Sequence, residues 1–492
     1  MPHISTTNPS KEPTMPLPVI LGHGARSAFF PRPSSKVAAQ TDDDPFAVAV
    51  RLFFDDRSCQ VMTTGEPIAI VVIGARFPGA SGARELWDLV CGKVDAVTAQ
   101  PPADRFDARA LYDPAPRKSG HVVSLDGGFL ADNEGFAPGD YAVTERENAT
   151  LDPQHRLLLQ CARDALADAG LTRTAGQDIG VFMGQSTGEH WDRLHGTTTT
   201  DMYAIATSAA RSMASGRISY AWDLRGPCAT VDAACSSGTL AVHLACQSLR
   251  IGECDTALAG GVSLVLDTRH TVGYSAAGML SPSGRCRFGH EDADGFVRSD
   301  GAGVLVLKRL SRAQADGDTV YALILGSAQA SKGRTAKAII APSIEGYLNV
   351  ITRACAVAGV SPDRIAYVEA HGNAAPAGDR IELHAIGTAI GVHRPPGRPC
   401  LVGCVKTNIG HPEAAGGIAG LIKAALAVRN RTVPASLHSE HPTSRIDWTG
   451  LGIAPVPHTA SWPDDGPAVA GVSTYGLSGT FVHILVGQPP NR

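Results

Sequence analysis

The sequence predicts an α/β fold whose sheets are covered on both faces, and three observations carry that expectation. Apolar runs of strand length recur along most of the chain, and longer helical stretches lie between them. The 492 residues, 43% hydrophobic and 18% charged, are enough to bury a large core. Such a length fits two or three average domains or one large duplicated α/β unit.

Taken in order, residues 1–65 stand apart. They are rich in Pro, Ser and Thr at first, carry short apolar pieces near 46–54, and read as an N-terminal extension that is partly disordered at its start. The pattern changes at Pro67. Residues 68–74, Ile-Ala-Ile-Val-Val-Ile-Gly, form a continuous apolar run of the kind buried on both faces of a sheet. A helical stretch at 152–169 and a second run at 179–184 follow. Helical stretches at 204–222 and 236–250 then lead to runs at 256–265 and 303–310. Near residue 320 the alternation starts again: a run at 320–325, a helix at 345–358, runs at 365–369 and 401–405, a helix at 414–429, and final runs at 469–473 and 482–486. The chain therefore divides into two halves of similar content, 66–320 and 321–492, as an ancient duplication would leave it.

Composition narrows the function classes. The formal net charge of −4 makes no electrostatic case for nucleic acid, although a local basic patch for an acidic carrier protein stays open. No stretch is long and apolar enough to span a bilayer, and the N-terminus lacks a signal-peptide pattern. The cysteine count is odd, 11, and the spacing scattered, which favours free thiols in a reducing cytosol. A soluble, cytoplasmic protein is expected. No metal site is expected either: Cys400 and Cys404 straddle a strand too apolar for zinc, and His190 joins no consistent ligand set.

The most informative segment is 226–238. An extended stretch ends at Cys235, and an apolar helix, Gly238-Thr239-Leu240-Ala241-Val242, begins at once. A cysteine there sits beside unpaired N–H groups and the positive end of the helix dipole, which should lower its pKa from about 8.5. Its small neighbours would let a substrate approach. Taken alone, Cys235 could as well be a buried core thiol.

Two further segments each place a histidine just beyond an apolar strand. One is Glu369-Ala370-His371-Gly372-Asn373; the other is Lys406-Thr407-Asn408-Ile409-Gly410-His411. Strand ends and the loops after them are where α/β folds hold ligands. A neutral imidazole there can donate a hydrogen bond to a thioester carbonyl that becomes an enolate or oxyanion. Lys406 would add positive charge or anchor a helix.

Together these segments resemble the ketosynthase domain of type I polyketide synthases, from about Glu66 to Val486. Supporting pieces are Asp152-Pro153-Gln154-His155-Arg156, Leu280-Ser281-Pro282-Ser283-Gly284-Arg285 and Asp294-Gly295-Phe296-Val297-Arg298. The resemblance implies a thiolase-like, five-layered αβαβα fold of two duplicated halves and an obligate-type homodimer. It implies that Cys235 is the acylated nucleophile, that His371 and His411 bind an extender thioester carbonyl and promote its decarboxylation, and that Lys406 supports His411. The backbone N–H groups of Cys235 and Leu477 would form the oxyanion hole. No resident cofactor is implied. The acyl groups would arrive on the phosphopantetheine of an acyl carrier protein or on coenzyme A. No acyltransferase, reductase or carrier pattern follows the matched region, so a free-standing ketosynthase is expected.

The departures from the family pattern cluster around this site. Where the family reads Gly-Thr-Gly-Thr after its first histidine, this chain has Gly372-Asn373-Ala374-Ala375. Asn373 and Ala375 thus replace hydroxyls expected to bond the pantetheine amides. Leu477 replaces an aromatic gate, and Phe481 replaces a polar residue that orders the pantetheine loop. A decarboxylative condensation is the leading expectation. A non-decarboxylating acyl transfer from Cys235 to an alcohol or amine, and a non-catalytic dimer partner, are the alternatives.

Overall fold

The run at 68–74 becomes strand β1 (Ile68–Arg76), buried in all but its last residue. This computed structural model describes residues 65–490 apart from 99, 103–104, 108, 116, 131–134, 172–173 and 195–201. The expected N-terminal extension, with its apolar pieces near 46–54, lies outside the described residues up to residue 64. The other apolar runs also form buried strands: β2 (Ile179–Gln185), β4 (Thr256–Ser263), β5 (Gly301–Arg309), β6 (Ala322–Ser331), β7 (Tyr367–Glu369), β8 (Cys400–Gly403), β10 (Val469–Tyr475) and β11 (Thr480–Gly487). Two short edge strands, β3 (Cys228–Val231) and β9 (Ile453–Pro455), complete one ladder of eleven in the order β9-β8-β7-β10-β11-β6-β1-β5-β4-β2-β3.

The ladder contains the same motif twice. In the first half β3, β2 and β4 run parallel, and β5 and β1 add on antiparallel. In the second, β8, β7 and β10 run parallel, and β11 and β6 add on antiparallel. An antiparallel join of Ile68–Ile70 to Ala322–Ile324 links the two.

Helices fill the layers around this ladder: α1 (Ala83–Cys91), α2 (Pro153–Asp168), α3 (Met213–Ala221), α4 (Ser237–Ile251), α5 (Arg269–Ala276), α6 (Ile344–Ala358), α7 (Pro376–Ala389), α8 (Lys406–Ile409) and α9 (Glu413–Asn430). On one outer side α2 packs on β1 and β5, and α3 on β2 and β3; on the other, α6 packs on β6 and β11 with α7 beside it. Between the two halves of the sheet lie α4 and α9. The layers therefore run αβαβα, as expected. Residues 413–428 of α9 are buried on every side, which explains a helix without a polar face.

The two central helices meet at glycines. A Cβ on Gly238 would lie 2.6 Å from Ile418 Cγ1 and 2.7 Å from the Ala414 carbonyl oxygen, and one on Gly417 would lie 2.6 Å from Thr239 Cγ2. Backbone therefore touches backbone where α4 and α9 begin. Gly238→Val should force them apart at a cost of about 1–3 kcal/mol, read as a lower urea midpoint with an unchanged m-value.

One expected helix is corrected. The stretch at 204–222 is not continuous: a π-helical turn at Ile205–Ala209 ends in extended backbone at Ala210, and α3 starts afresh at Met213. The hydroxyls of Thr207 and Ser208 bond back to the carbonyls of Tyr203 and Ala204, a pattern that bends helices. The Ser215 N–H, in the first turn of α3, turns instead to Thr230 Oγ1 on β3 at 3.1 Å.

Candidate active site

Strand β3 stops at Val231, sooner than the extended stretch expected to reach Cys235, and a tight turn carries the chain to α4. Ala234 takes a left-handed conformation (φ 51°) in that turn. Ser237 Oγ accepts the Ala233 N–H at 2.9 Å and donates to the Ala234 carbonyl at 2.6 Å. These bonds fix Cys235, half-buried, just ahead of the α4 N-terminus.

The loop between β10 and β11 closes over this turn. A Cβ on Gly476 would lie 2.0 Å from the Ala233 carbonyl oxygen, so only glycine allows that approach. Ser236 Oγ donates to the Thr480 carbonyl at 3.1 Å, and the Thr239 and Thr474 hydroxyls meet at 2.7 Å. Leu477, half-buried, therefore sits beside the Cys235 turn.

The second half of the chain brings the histidines. His371 follows β7; its N–H and that of Gly372 donate to the Glu382 carboxylate on α7 at 2.7 and 2.8 Å. The Tyr475 N–H donates to His371 Nδ1 at 3.4 Å, so a neutral His371 carries its proton on Nε2. The His411 N–H donates to the Val297 carbonyl at 2.7 Å, and its own carbonyl accepts the Ser299 N–H at 3.1 Å. The two imidazoles stand edge to face with centroids 5.5 Å apart. Both are held well below the usual histidine pKa, first by burial and then by the Lys406 ammonium. They are neutral hydrogen-bond donors at physiological pH.

Lys406 opens α8 and is 2% exposed. Its stem and His411 lie against the same glycine of α9: a Cβ on Gly416 would come within 3.2 Å of His411 Nδ1 and 3.4 Å of Lys406 Cε. Lys406 and Cys235 are also within electrostatic reach of each other. Glu369 ties the ends of β7 and β8 together, accepting the Val405 N–H and the Tyr367 hydroxyl and pairing with Lys423 Nζ at 3.0 Å.

Three expectations need correction. Cys235 is not a low-pKa thiol at rest: burial, and next the Glu413 carboxylate, push it up to about 12, with Lys406 pulling the other way. The positive helix end acts at short range and does not replace the lost solvent. Asn373 is turned inward on its own loop, where Oδ1 accepts the Ala375 N–H at 3.2 Å at the start of α7. Phe481 is fully buried and packs against Tyr347 and Tyr475 at centroid distances of 4.7 and 4.8 Å. Its ring fills the space left by Gly346, between α6 and Tyr475.

Sequence reasoning also missed a buried ion network beside the site. Arg298 Nε donates to Glu413 at 2.6 Å and Nη2 to Glu189 at 2.7 Å; His270 Nδ1 lies 2.9 Å from Glu189. Glu413 also accepts the Tyr274 hydroxyl at 3.3 Å. Arg298 lies within one of the family-like segments, but nothing local names partners more than a hundred residues away. Among the described residues, no three His, Cys, Asp or Glu side chains gather as a metal site, and no helix is long and apolar enough to cross a membrane.

Residues 65–313 match the family model of the beta-ketoacyl synthase N-terminal domain, and residues 321–440 match that of its C-terminal domain. The chain belongs to the beta-ketoacyl synthase family. Among polyketide synthases, this beta-ketoacyl synthase chain is 44% identical over 435 residues to a phenolphthiocerol/phthiocerol polyketide synthase of Mycobacterium tuberculosis, covering 87% of this chain and 24% of the relative. It is 39% identical over 429 residues to polyketide synthase GfsA of Streptomyces halstedii, covering 86% of this chain and 6% of the relative. The chain thus spans about a quarter of the mycobacterial relative. In structure it is similar to the ketosynthase from module 6 of the bacillaene synthase of Bacillus subtilis 168, with a TM-score of 0.79 and 34% identity over 87% of this chain and 73% of that one. An oxazolomycin ketosynthase domain from Streptomyces albus gives a TM-score of 0.80 and 32% identity over 87% and 76% of the two chains.

Proposed function

We propose that this chain is a polyketide β-ketoacyl synthase, an acyltransferase that forms carbon–carbon bonds with Cys235 as nucleophile. The observation that carries the reading is that Cys235 stands at the head of one central helix, α4, and His411 at the head of the other, α9, which packs against it, with His371 edge to face with His411. The Cys235 thiolate attacks an acyl thioester, and the carrier thiol leaves with the proton. A malonyl-type thioester then enters with its carbonyl oxygen toward the N–H donors of His371 and His411. The bond to its carboxylate breaks, carbon dioxide leaves, and the electron pair becomes an enolate. The enolate carbon attacks the acyl carbon on Cys235, and the oxyanion is met by the N–H groups of Cys235 and Leu477. Its collapse expels the Cys235 thiolate and a β-keto thioester. Neutral imidazoles suit this task, since they stabilise the enolate without trapping it by full protonation. Lys406 supports His411 through its charge and packing.

The substrates would ride on the phosphopantetheine of an acyl carrier protein or on coenzyme A, with no resident cofactor. The contacts expected from Asn373 and Ala375 narrow to backbone and van der Waals contacts, because one side chain is engaged locally and the other is a methyl. A homodimer is supported by the edge position of β3, whose Cys228 is exposed, and by Tyr220 beside it, 70% exposed. The described cysteines are all free, which suits a reducing cytoplasm.

The test follows an acyl thioester and then malonyl-carrier by intact mass and carbon dioxide release. Wild type should acylate and then discharge with carbon dioxide. His411→Ala should still acylate but release carbon dioxide about 10²–10³-fold more slowly. Acylation and discharge onto an alcohol or amine without carbon dioxide would instead establish a non-decarboxylating transferase. No adduct with any donor would leave a non-catalytic partner.

A further inference from the structure

Lys332, the next residue after β6, is 5% exposed, and none of the chemistry above uses it. Its ammonium donates to the carbonyls of Ala338 (3.1 Å), Ile339 and Ala341 (2.6 Å) and to the Tyr475 hydroxyl (3.3 Å). All four oxygens are neutral. The Tyr475 hydroxyl in turn donates to the Ile340 carbonyl at 3.2 Å. The stem of Lys332 crosses Gly479, where a Cβ would lie 3.0 Å from its Cε, and the Lys332 N–H donates to the Gly479 carbonyl at 3.0 Å. One buried cation thus gathers the outward loop 333–341 and fastens it to Tyr475 and to the loop that closes over Cys235.

Tyr475 connects this clamp to the site. Its main-chain N–H is the group that bonds His371 Nδ1, and its ring stands edge-on to His371 with centroids 6.1 Å apart. Phe481 and Tyr347 hold the ring from the other side, with Phe481 occupying the space beside Gly346. We infer that Lys332 is a positioning residue, whose ammonium locks loop 333–341 onto Tyr475 and thereby keeps His371 in its Nε2–H tautomer, aimed at the substrate carbonyl. A cation suits the role because one ammonium nitrogen carries three donors and a charge that draws carbonyls to it, where a neutral amide nitrogen carries two donors and no charge. The loop itself, with Ile339 76% and Ile340 54% exposed, has little burial of its own to hold it down.

The activity arm of the test rests on the proposed function; two other arms do not. Lys332→Met keeps the stem and removes the charge. Trypsin should nick the full-length variant at Arg334 and Lys337, both on the exposed loop, about tenfold faster than wild type. In ¹⁵N-histidine-labelled protein the His371 signals, assigned by their loss in His371→Gln, should move from the Nε2–H pattern toward a mixture. The kcat for malonyl decarboxylation should fall about tenfold or more with KM within about twofold, Cys235 should acylate at the wild-type rate, and Lys332→Arg should recover most of kcat. Wild-type nicking, or faster nicking with unmoved His371 signals, overturns the inference. Should Lys332→Met not fold, Tyr475→Phe removes one of the four oxygens but keeps the N–H, and the same nicking comparison decides. If wild type releases no carbon dioxide, the proposed function fails, while the nicking and ¹⁵N measurements still decide the clamp.

Discussion

Cys235→Ala is expected to show no acyl adduct by intact mass with any thioester donor, and to lower condensation about 10⁵-fold. The imidazoles are untouched by that change, so slow carbon dioxide release from malonyl-carrier should persist without a condensed product. This pattern is the reverse of the His411→Ala one, and the two variants together separate the half-reactions. The pH dependence should separate them too. With its pKa pushed up to about 12, the Cys235 thiol is protonated throughout the neutral range. The reactive thiolate fraction, and with it acylation, should therefore rise about tenfold per pH unit through pH 9 without a plateau. His371 and His411 are lowered well below 6.5 and stay neutral at every higher pH. Carbon dioxide release from malonyl-carrier in Cys235→Ala should accordingly be flat above about pH 6.5. An acylation rate that levels off near neutrality would show that the helix end and Lys406 outweigh burial after all.

Arg298→Met is expected to destabilise the protein by about 3–5 kcal/mol at pH 7, read from urea midpoints. The methionine can fill the volume but leaves two carboxylates stranded. Glu189 and Glu413 side chains are 0% and 4% exposed, and each bonds the guanidinium directly. Burial alone would raise Glu189, yet Arg298 first, with His270, draws it down to about 2. A depressed carboxylate stabilises the fold above its unfolded pKa of about 4.3 and loses that contribution as pH falls toward 2. Without Arg298 burial is opposed less at Glu189, whose carboxylate then resists ionisation more, and folding is penalised as pH rises. The gap between variant and wild type should therefore narrow on acidification from pH 7 to 4. A constant gap would mean that lost packing, not charge, is what the variant reports.

The fold was legible because strands buried on both faces are apolar without interruption, and β1, β2, β4, β5 and β11 read that way directly. The central helix α9 was legible for the same reason. The misses have local causes. Helix α7 opens with Pro376-Ala377-Gly378, which masks its period, and α1 and β9 are short. The stretch through Thr207 and Ser208 looked helical because side-chain bonds to the backbone do not show in an apolar pattern. At the site, Cys235, His371, His411 and Lys406 stood out by residue type and position after strands. Glu369, Glu382, Arg298 and Tyr475 did not, since each acts through a partner distant in sequence. Phe481 stood out as a departure from the family pattern, and only the packing against Tyr347, Tyr475 and Gly346 shows that it is a core residue. The height of the Cys235 pKa was hidden for a related reason: it depends first on burial and next on the Glu413 carboxylate, which is distant in sequence.

The doubled ladder has a consequence for the number of reaction centres. The same strand–turn–helix unit occurs as β3 with α4 and as β8 with α9, and a symmetric pair of such units would hold two identical sites or none. Here one copy presents a thiol and the other an ammonium and an imidazole, so what would be two equivalent clefts becomes one polarised cleft with a giving side and a receiving side. A shift of one half against the other would alter the gap between the reagents and strain the bonds that cross it, from Ser236 to Thr480 beside Cys235 and from His411 to Val297. On the proposed mechanism, the glycine contacts between α4 and α9 would set the spacing of the reagents as well as the packing of the helices.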